Sequence, residues 1–407
     1  MLTYENKLLK LAYWSIWTIA LFSYSSVSAS ALSHIFIIIP GFYFLYKAFK
    51  ENQLNLSKSN IAMIALIIFG IISVIAADDI ENKFKVAFKL KYFILPLLAI
   101  FPYRLILKNI KSSQIRLIFN VFFMVLTIGN IAGIHALFSG YHLIKMKAAA
   151  DETRAAGMYG MAITYGYGIE FIVIILTSLI FNYKQSLSEY FNKKLFYAAL
   201  VSSYLGLYFS FTRGALLALI VSFPFIFIKT KKKLFISLSV IGILIVGILT
   251  YLVFYGSSSN RFLMKAKSDP NMIRLSQYQS AYKGFLEKPL TGLGYRNFES
   301  NVERLKNKYD LPFKNFAGHA HNNYLEFLAD TGIFGFISFV LFIFFWIYDC
   351  FKRNDILAIT VFPFLVSFSF SGLFQNTITD AENMFFIMFI YSIFYATQNI
   401  QSKKNSL

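Results

Sequence analysis

The sequence has a single cysteine, Cys350, in 407 residues. That excludes an intrachain disulfide and any cysteine-based metal cluster. Charge is scarce too: Asp, Glu, Lys and Arg make up 14% of the chain, against about 25% in ordinary soluble domains. Acids are the scarcer sign, 20 Asp and Glu to 39 Lys and Arg. There is no Asp-x-Asp pair and no Gly-x-Ser-x-Gly elbow, so the sequence signature of an elbow-type Ser-His-Asp hydrolase is missing. What is present is apolar: 57% of residues are hydrophobic and 19% aromatic, with a mean hydropathy of +0.58. These residues neither alternate nor form amphipathic stripes. They run in blocks of roughly 16–24, the length that crosses ~30 Å of hydrocarbon as a helix. A soluble enzyme and a disordered chain are both excluded.

Twelve such blocks are present, at about 11–28, 31–47, 60–77, 86–102, 115–138, 162–181, 195–211, 214–228, 234–255, 332–349, 356–374 and 381–398. The fold class expected is therefore an all-α polytopic membrane protein of about 12 transmembrane helices. With the N-terminus in the cytoplasm, twenty Lys and Arg fall in inside segments. The short outside loops hold six: Lys83, Lys85, Lys145, Lys147, Arg154 and Arg213. The positive-inside rule then places both termini in the cytoplasm. Ala29-Ser30-Ala31 looks like a signal-peptidase site, but an uncleaved first helix suffices when eleven more spans follow. The net charge of +19 lies between apolar blocks, so it is read as a membrane feature, with lipids as partners and no nucleic acid.

Three parts result: helices 1–9 in residues 1–255, a large outside loop in 256–331, and helices 10–12 with the tail in 332–407. The loop holds eleven Lys and Arg, and up to His321 it has five acids. Long loops translocate whatever their charge, and a cationic outer surface suits an anionic or phosphorylated substrate. Within it, Leu275, Tyr278, Tyr282 and Phe285 are spaced for a helix over 271–286. Thr291 to Arg296 reads as a turn and 297–309 as a second helix. A short third helix is expected over 323–329, with Asn323 as N-cap, Glu326 as its capping-box partner, and Gly332 and Gly335 breaking it.

All five histidines fall near the outer face in this topology. His34 and His135, near span ends, read as structural, and His142 sits in a loop without a signal. His319-Ala-His321 precedes a capped helix; it is a poor zinc site, lacking a third ligand, and a better general base, since a neutral imidazole titrates near working pH. Arg213, in the tight hairpin Phe211-Thr-Arg-Gly-Ala215, is either an interfacial arginine reaching lipid phosphate or a fixed cation at a helix start, suited to pyrophosphate. Arg274 lies one turn before Tyr278, on a solvated face or in a site. Asp78, Asp79 and Glu81 stand at a span end, and the first outside loop, 25–31, has no acid. Arginines rather than a metal are expected to neutralise a leaving group, with no metal and no cofactor.

His321-Asn322, nine residues, then Gly332-Ile-Phe-Gly335 resembles the His-Asn-x9-Gly-x-x-Gly signature of bacterial O-antigen ligases. The wider segment 319–335 is similar to the superfamily these share with O-antigen polymerases and pilin-type protein O-glycosyltransferases. Thr212-Arg213-Gly214-Ala215 resembles its second signature, and Arg274 occupies the place of its loop arginine. The resemblance implies a C-type glycosyltransferase-like fold with a mostly helical periplasmic loop between helices 9 and 10. It implies a metal-independent, inverting transfer at the periplasmic face of the inner membrane. The donor would be O-polysaccharide on undecaprenyl diphosphate and the acceptor lipid A–core. His321 would be the general base, and Arg213 and Arg274 would hold the diphosphate. Arg154, Tyr278, Arg296, His319 and Asn322 are the candidate substrate-binding residues beside them. A polymerase of the same superfamily is the first alternative, and a protein O-glycosyltransferase the next. A polysaccharide flippase or other transporter comes from another class; against it, the sequence has no clear inverted repeat.

Overall fold

The structure, a computed structural model, describes residues 2–183, 187–230, 232–240, 242 and 270–402. The run at 234–255 lies mostly outside the described residues, and each of the other expected runs falls on a helix. Hydrocarbon leaves a backbone no other way to satisfy its N–H and C=O groups within one segment. These helices are α1 (Leu2–Phe22), α2 (Leu32–Lys50), α3 (Lys58–Ala76), α4 (Lys91–Asn109), α5 (Ser112–Ser139), α6 (Ala162–Tyr183), α7 (Lys193–Phe209) and α8 (Arg213–Ser222). The loop contributes α9 (Pro270–Glu287) and α10 (Phe298–Lys308). The C-terminal part contributes α11 (Asn323–Lys352), α12 (Ile356–Ser371) and α13 (Ala381–Ser402). Between α5 and α6, β1 (Tyr141–His142) pairs antiparallel with β2 (Lys147–Ala148).

Among the described residues, six helical segments are long and apolar enough to cross a membrane: Val27–Lys50, Lys58–Ala76, Lys83–Asn109, Ser112–Ser139, Ala162–Tyr183 and Asn323–Lys352. Arg213–Ile228 and Ile356–Ser371 are shorter apolar helices. Large apolar side chains cover the outside, among them Ile35, Ile39 and Phe42 on α2, Ile61, Ile68 and Ile75 on α3, and Phe344 on α11. In water this surface would aggregate; against lipid it costs nothing. These are the features of an α-helical, polytopic membrane protein.

Polar contacts between helices set the packing, since lipid gives apolar faces no reason to prefer each other. Ser59 Oγ donates to Phe342 O at 3.0 Å, joining α3 to α11, and Tyr391 OH donates to Asn60 Oδ1 at 2.6 Å, joining α13 to α3. Tyr165 OH on α6 donates to Asn130 Oδ1 on α5 at 2.8 Å. Asn130 Nδ2 donates to Ser202 and Ser203 on α7. α6 runs through the centre of this network, buried along most of its length.

The loop helices form where the spacing puts them, but α9 buries a different face from the one that marked it. Leu275 and Tyr282 are exposed, while Ser276, Gln277, Ser280 and Ala281 are buried. Small residues let α9 approach α10 and α11 closely, while Leu275, Tyr282 and Leu286 turn outward. Lys306 on α10 is fully buried, its Nζ donating to Phe316 O at 2.6 Å. Asp79 accepts from Asn297 and Asn301, and Asp78 pairs with Lys288 at 3.0 Å. The acids at the end of α3 therefore tether the loop.

Two expectations about the third helix are corrected. Its N-cap is Asn322, not Asn323: Asn322 Oδ1 accepts from Tyr324 N and Leu325 N at 2.9 and 3.0 Å. Glu326 closes no capping box on that residue; its carboxylate accepts from Ala320 N. The helix does break at Gly332, whose φ of 65° and ψ of −167° are not helical; α11 resumes past this kink, with Gly335 inside its second part, and runs to Lys352. His142 also differs from the reading of its loop. It is buried, with Nε2 within 2.9 Å of Gly157 O.

Candidate active site

His321 lies on the short connection from α10 to α11, with φ at 49°, a left-handed conformation uncommon for residues with a Cβ. Three contacts hold it there. His321 N donates to His319 Nδ1 at 3.1 Å, Tyr278 OH from α9 donates to His321 O at 3.4 Å, and the following residue is the α11 cap. The two imidazole rings are 4.2 Å apart. Since His319 Nδ1 accepts a hydrogen bond, that ring is neutral. Burial, then the neighbouring His321 and Arg274, push it down to about 3. Burial also lowers His321; a bond to Gln375 opposes this and the Arg274 charge adds to it. A half-buried imidazole kept neutral has the protonation state a general base requires.

Arg274, half-buried on the first turns of α9, is the charge that connects the site. It acts on His319, His321 and Tyr278, and on Arg154 from the α5–α6 connection. Arg154 in turn braces the α7–α8 hairpin, Nε donating to Ser210 O at 2.8 Å and Nη2 to Thr212 Oγ1 at 2.9 Å. Arg213 follows as the exposed first residue of α8. A Cβ on the next residue, Gly214, would meet Tyr167 OH at 2.1 Å and Phe374 Cβ at 3.5 Å. The hairpin, α9, the histidine strand and the segment around Phe374 thus converge, although they are far apart in sequence.

Other predicted substrate contacts are used by the fold itself. Asn322 spends its carbonyl on the cap, and its Nδ2 donates to Leu373 O at 3.1 Å. Tyr278 OH also donates to Leu373 O, at 3.1 Å. Arg296 donates through Nη2 to Thr379 O, and its backbone N donates to Asp330 Oδ2 at 2.8 Å.

The bonds from Asn322 Nδ2, Tyr278 OH and Arg296 Nη2 lead to one element the sequence did not reveal, the 372–380 connection between α12 and α13. Its Gly372 O accepts from Asn323 N at 2.7 Å, and its Thr377 Oγ1 accepts from Asn323 Nδ2 at 3.0 Å. Gln375, 2% exposed, places Oε1 2.8 Å from His321 Nδ1. The segment carries no motif, and its residue types are those of an ordinary polar turn.

The site's central residues, from Arg213 to Asn322, lie inside a stretch that matches a known family. Residues 196–340 match the O-antigen ligase family. The match supports placing the chain in the O-antigen ligase and polymerase family. That family implies a glycosyltransferase-like enzyme acting on polysaccharide and lipid substrates. Among the curated proteins, none matches the chain.

Proposed function

We propose that this family member transfers an O-polysaccharide from undecaprenyl diphosphate to a sugar hydroxyl of lipid A–core. The reaction takes place at the periplasmic face of the bacterial inner membrane, with both termini cytoplasmic. Residues 256–331 form the periplasmic part, between the membrane segments 1–255 and 332–407. The observation that best supports this reading is the convergence of a neutral, half-buried His321 with the Arg274 charge, next to the hairpin that presents Arg213. His321 takes the proton from the acceptor hydroxyl as its oxygen bonds to the anomeric carbon. The anomeric bond to the diphosphate breaks from the opposite side, which inverts the configuration. The leaving diphosphate gathers negative charge, and fixed guanidinium forks meet it without a divalent metal.

A polymerase would run the same chemistry with a second lipid-linked chain as acceptor, so the acceptor decides between the two. The test is the lipopolysaccharide ladder of a deletion strain. A ligase leaves lipid A–core without any long chain while lipid-linked polymer accumulates. A single repeat capping lipid A–core would overturn ligation in favour of polymerisation.

Arg274→Ala and Arg213→Ala are each expected to lower turnover by about 10²–10³ and to weaken donor binding as well. Lys is expected to restore little at either position, because an ammonium lacks the planar fork. Donor affinity measured beside transfer checks this, and unchanged affinity in both alanine variants would remove these residues from the diphosphate.

A further inference from the structure

We infer that Gln375 is the positioning residue of the site: its side-chain carbonyl accepts a hydrogen bond from Nδ1–H of His321 and leaves Nε2 bare toward the acceptor hydroxyl. The inference rests on the reading of His321 as the base. Its first support is geometric. Gln375 Oε1 lies 2.8 Å from His321 Nδ1, and Gln375 is 2% exposed, so bulk water does not compete for the contact.

The second support is what lies behind the amide. Gln375 also hydrogen-bonds the carboxyl of Asp380, which accepts from Thr164 Oγ1 at 3.3 Å as well. An ionised carboxylate only accepts, so it must face the NH2 end of the amide. That turns Oε1 toward the imidazole, and an oxygen there requires the proton on Nδ1. Burial and then the charge of neighbouring Glu382 raise Asp380 to about 7, while the bonds from Thr164 and Gln375 and the nearby Arg296 oppose the rise. The carboxylate therefore fixes the amide's direction from about neutral pH upward.

The third support is rigidity. The 372–380 segment is tied to the histidine strand by Asn323 through Gly372 O, Thr377 Oγ1 and Ile378 N, and by Asn322 and Tyr278 through Leu373 O. Arg296 holds Thr379 O from the other side. A partner locked this way keeps the ring oriented before substrate arrives, which is how an orienting group helps a histidine base. As the acceptor proton moves to Nε2, the ring becomes cationic, and the oriented Gln375 carbonyl stabilises it with Asp380 behind.

The experiment uses the full-length enzyme with lipid-linked donor and lipid A–core, measuring kcat, KM and the pH profile of Gln375→Leu and Gln375→Glu. The charged and titratable groups facing His321 are Arg274 and Tyr278 from α9, His319 on its own strand, and Asp380 beyond Gln375. All stay in place in both variants. Gln375→Leu is expected to lower kcat about 10–100-fold with KM little changed, less than the ~10⁴ lost when a carboxylate orienting a catalytic histidine is neutralised. Gln375→Glu keeps an acceptor oxygen and should retain most activity. Its negative charge raises the imidazole pKa, so the acidic limb of kcat/KM should move to higher pH by about one unit. A purely structural glutamine would not move that limb. An unmoved limb in Gln375→Glu overturns the inference, as does a wild-type kcat in Gln375→Leu; if the leucine variant does not fold, the glutamate profile decides. His321→Asn separates the two levels. If it is inactive while both Gln375 variants behave as wild type, only this inference falls. If it is active, the base assignment falls.

Discussion

Replacing His321 should lower transfer by a factor on the order of 10²–10⁴, the usual contribution of a positioned general base, while the protein stays inserted and still binds donor. The better substitution is asparagine. His321 sits at φ 49°, a conformation asparagine adopts far more readily than alanine, so His321→Asn keeps backbone strain out of the result. It also leaves a polar side chain facing the buried Gln375 carbonyl, where alanine would strand it at a cost of ~1–3 kcal/mol. The measurement is transfer to lipid A–core by each stable variant beside donor binding. Near-normal transfer by His321→Asn would remove the base and the mechanism with it. His319→Ala should be milder in rate but not silent, because it removes the acceptor for His321 N at 3.1 Å.

Gly332→Ala is expected to destabilise the protein by about 3–5 kcal/mol, at the extreme of single substitutions. Gly332 has φ 65° and ψ −167°, a region essentially closed to residues with a side chain. A Cβ there would stand 2.4 Å from Leu290 O and 2.8 Å from Gly292 N. Gly292, at φ 70°, presses back just as closely, its own Cβ position lying 2.5 Å from Gly332 N. The bend frees the carbonyls of Ala329 and Asp330, which accept instead from Leu293 N at 2.8 Å and Gly294 N at 2.9 Å. The Asp330 carboxylate then receives Arg296 N, Asn297 N and Phe298 N, capping α10 from a distance. One methyl group would therefore disturb the bend, the turn and the start of α10 together. Thermal unfolding in detergent checks this, and an unchanged melting temperature would show that the turn yields.

The helices were legible because hydrocarbon allows so few backbones: length and apolarity alone fixed most of them. α9 was visible as a helix, yet its packing was not. The residues that betrayed its period, Leu275 and Tyr282, point outward, and a stripe of Ser and Ala packs inward. Leu275 and Tyr282 stay exposed while Ser276 and Ser280 are buried, so hydrophobicity does not say which side of α9 packs against the protein. In the site, His321, Arg274 and Arg213 could be picked out because rare residue types stood beside recognisable spacings. Gln375, Thr377 and Asp380 could not, because a glutamine in a polar turn becomes informative only when a structure sets it 2.8 Å from an imidazole. Asn322 and Arg296 were read as reaching for substrate. The Asn322 amide and Arg296 Nη2 bind the protein's own backbone, a use that spacing does not distinguish from recognition.

The 372–380 connection lies outside the 196–340 stretch that carries the family match. A chimaera exchanging only that stretch with a relative would bring in a new histidine and face it with the host's amide. Ring and partner would then come from different lineages, meeting only after α12 and α13 have docked. Such hybrids should assemble and yet turn over poorly wherever the host turn offers no carbonyl at the right height. Extending the transplanted segment through the start of α13 should restore them. The portable unit of this enzyme is thus longer than its signature, and its far boundary is set by a turn that no motif marks.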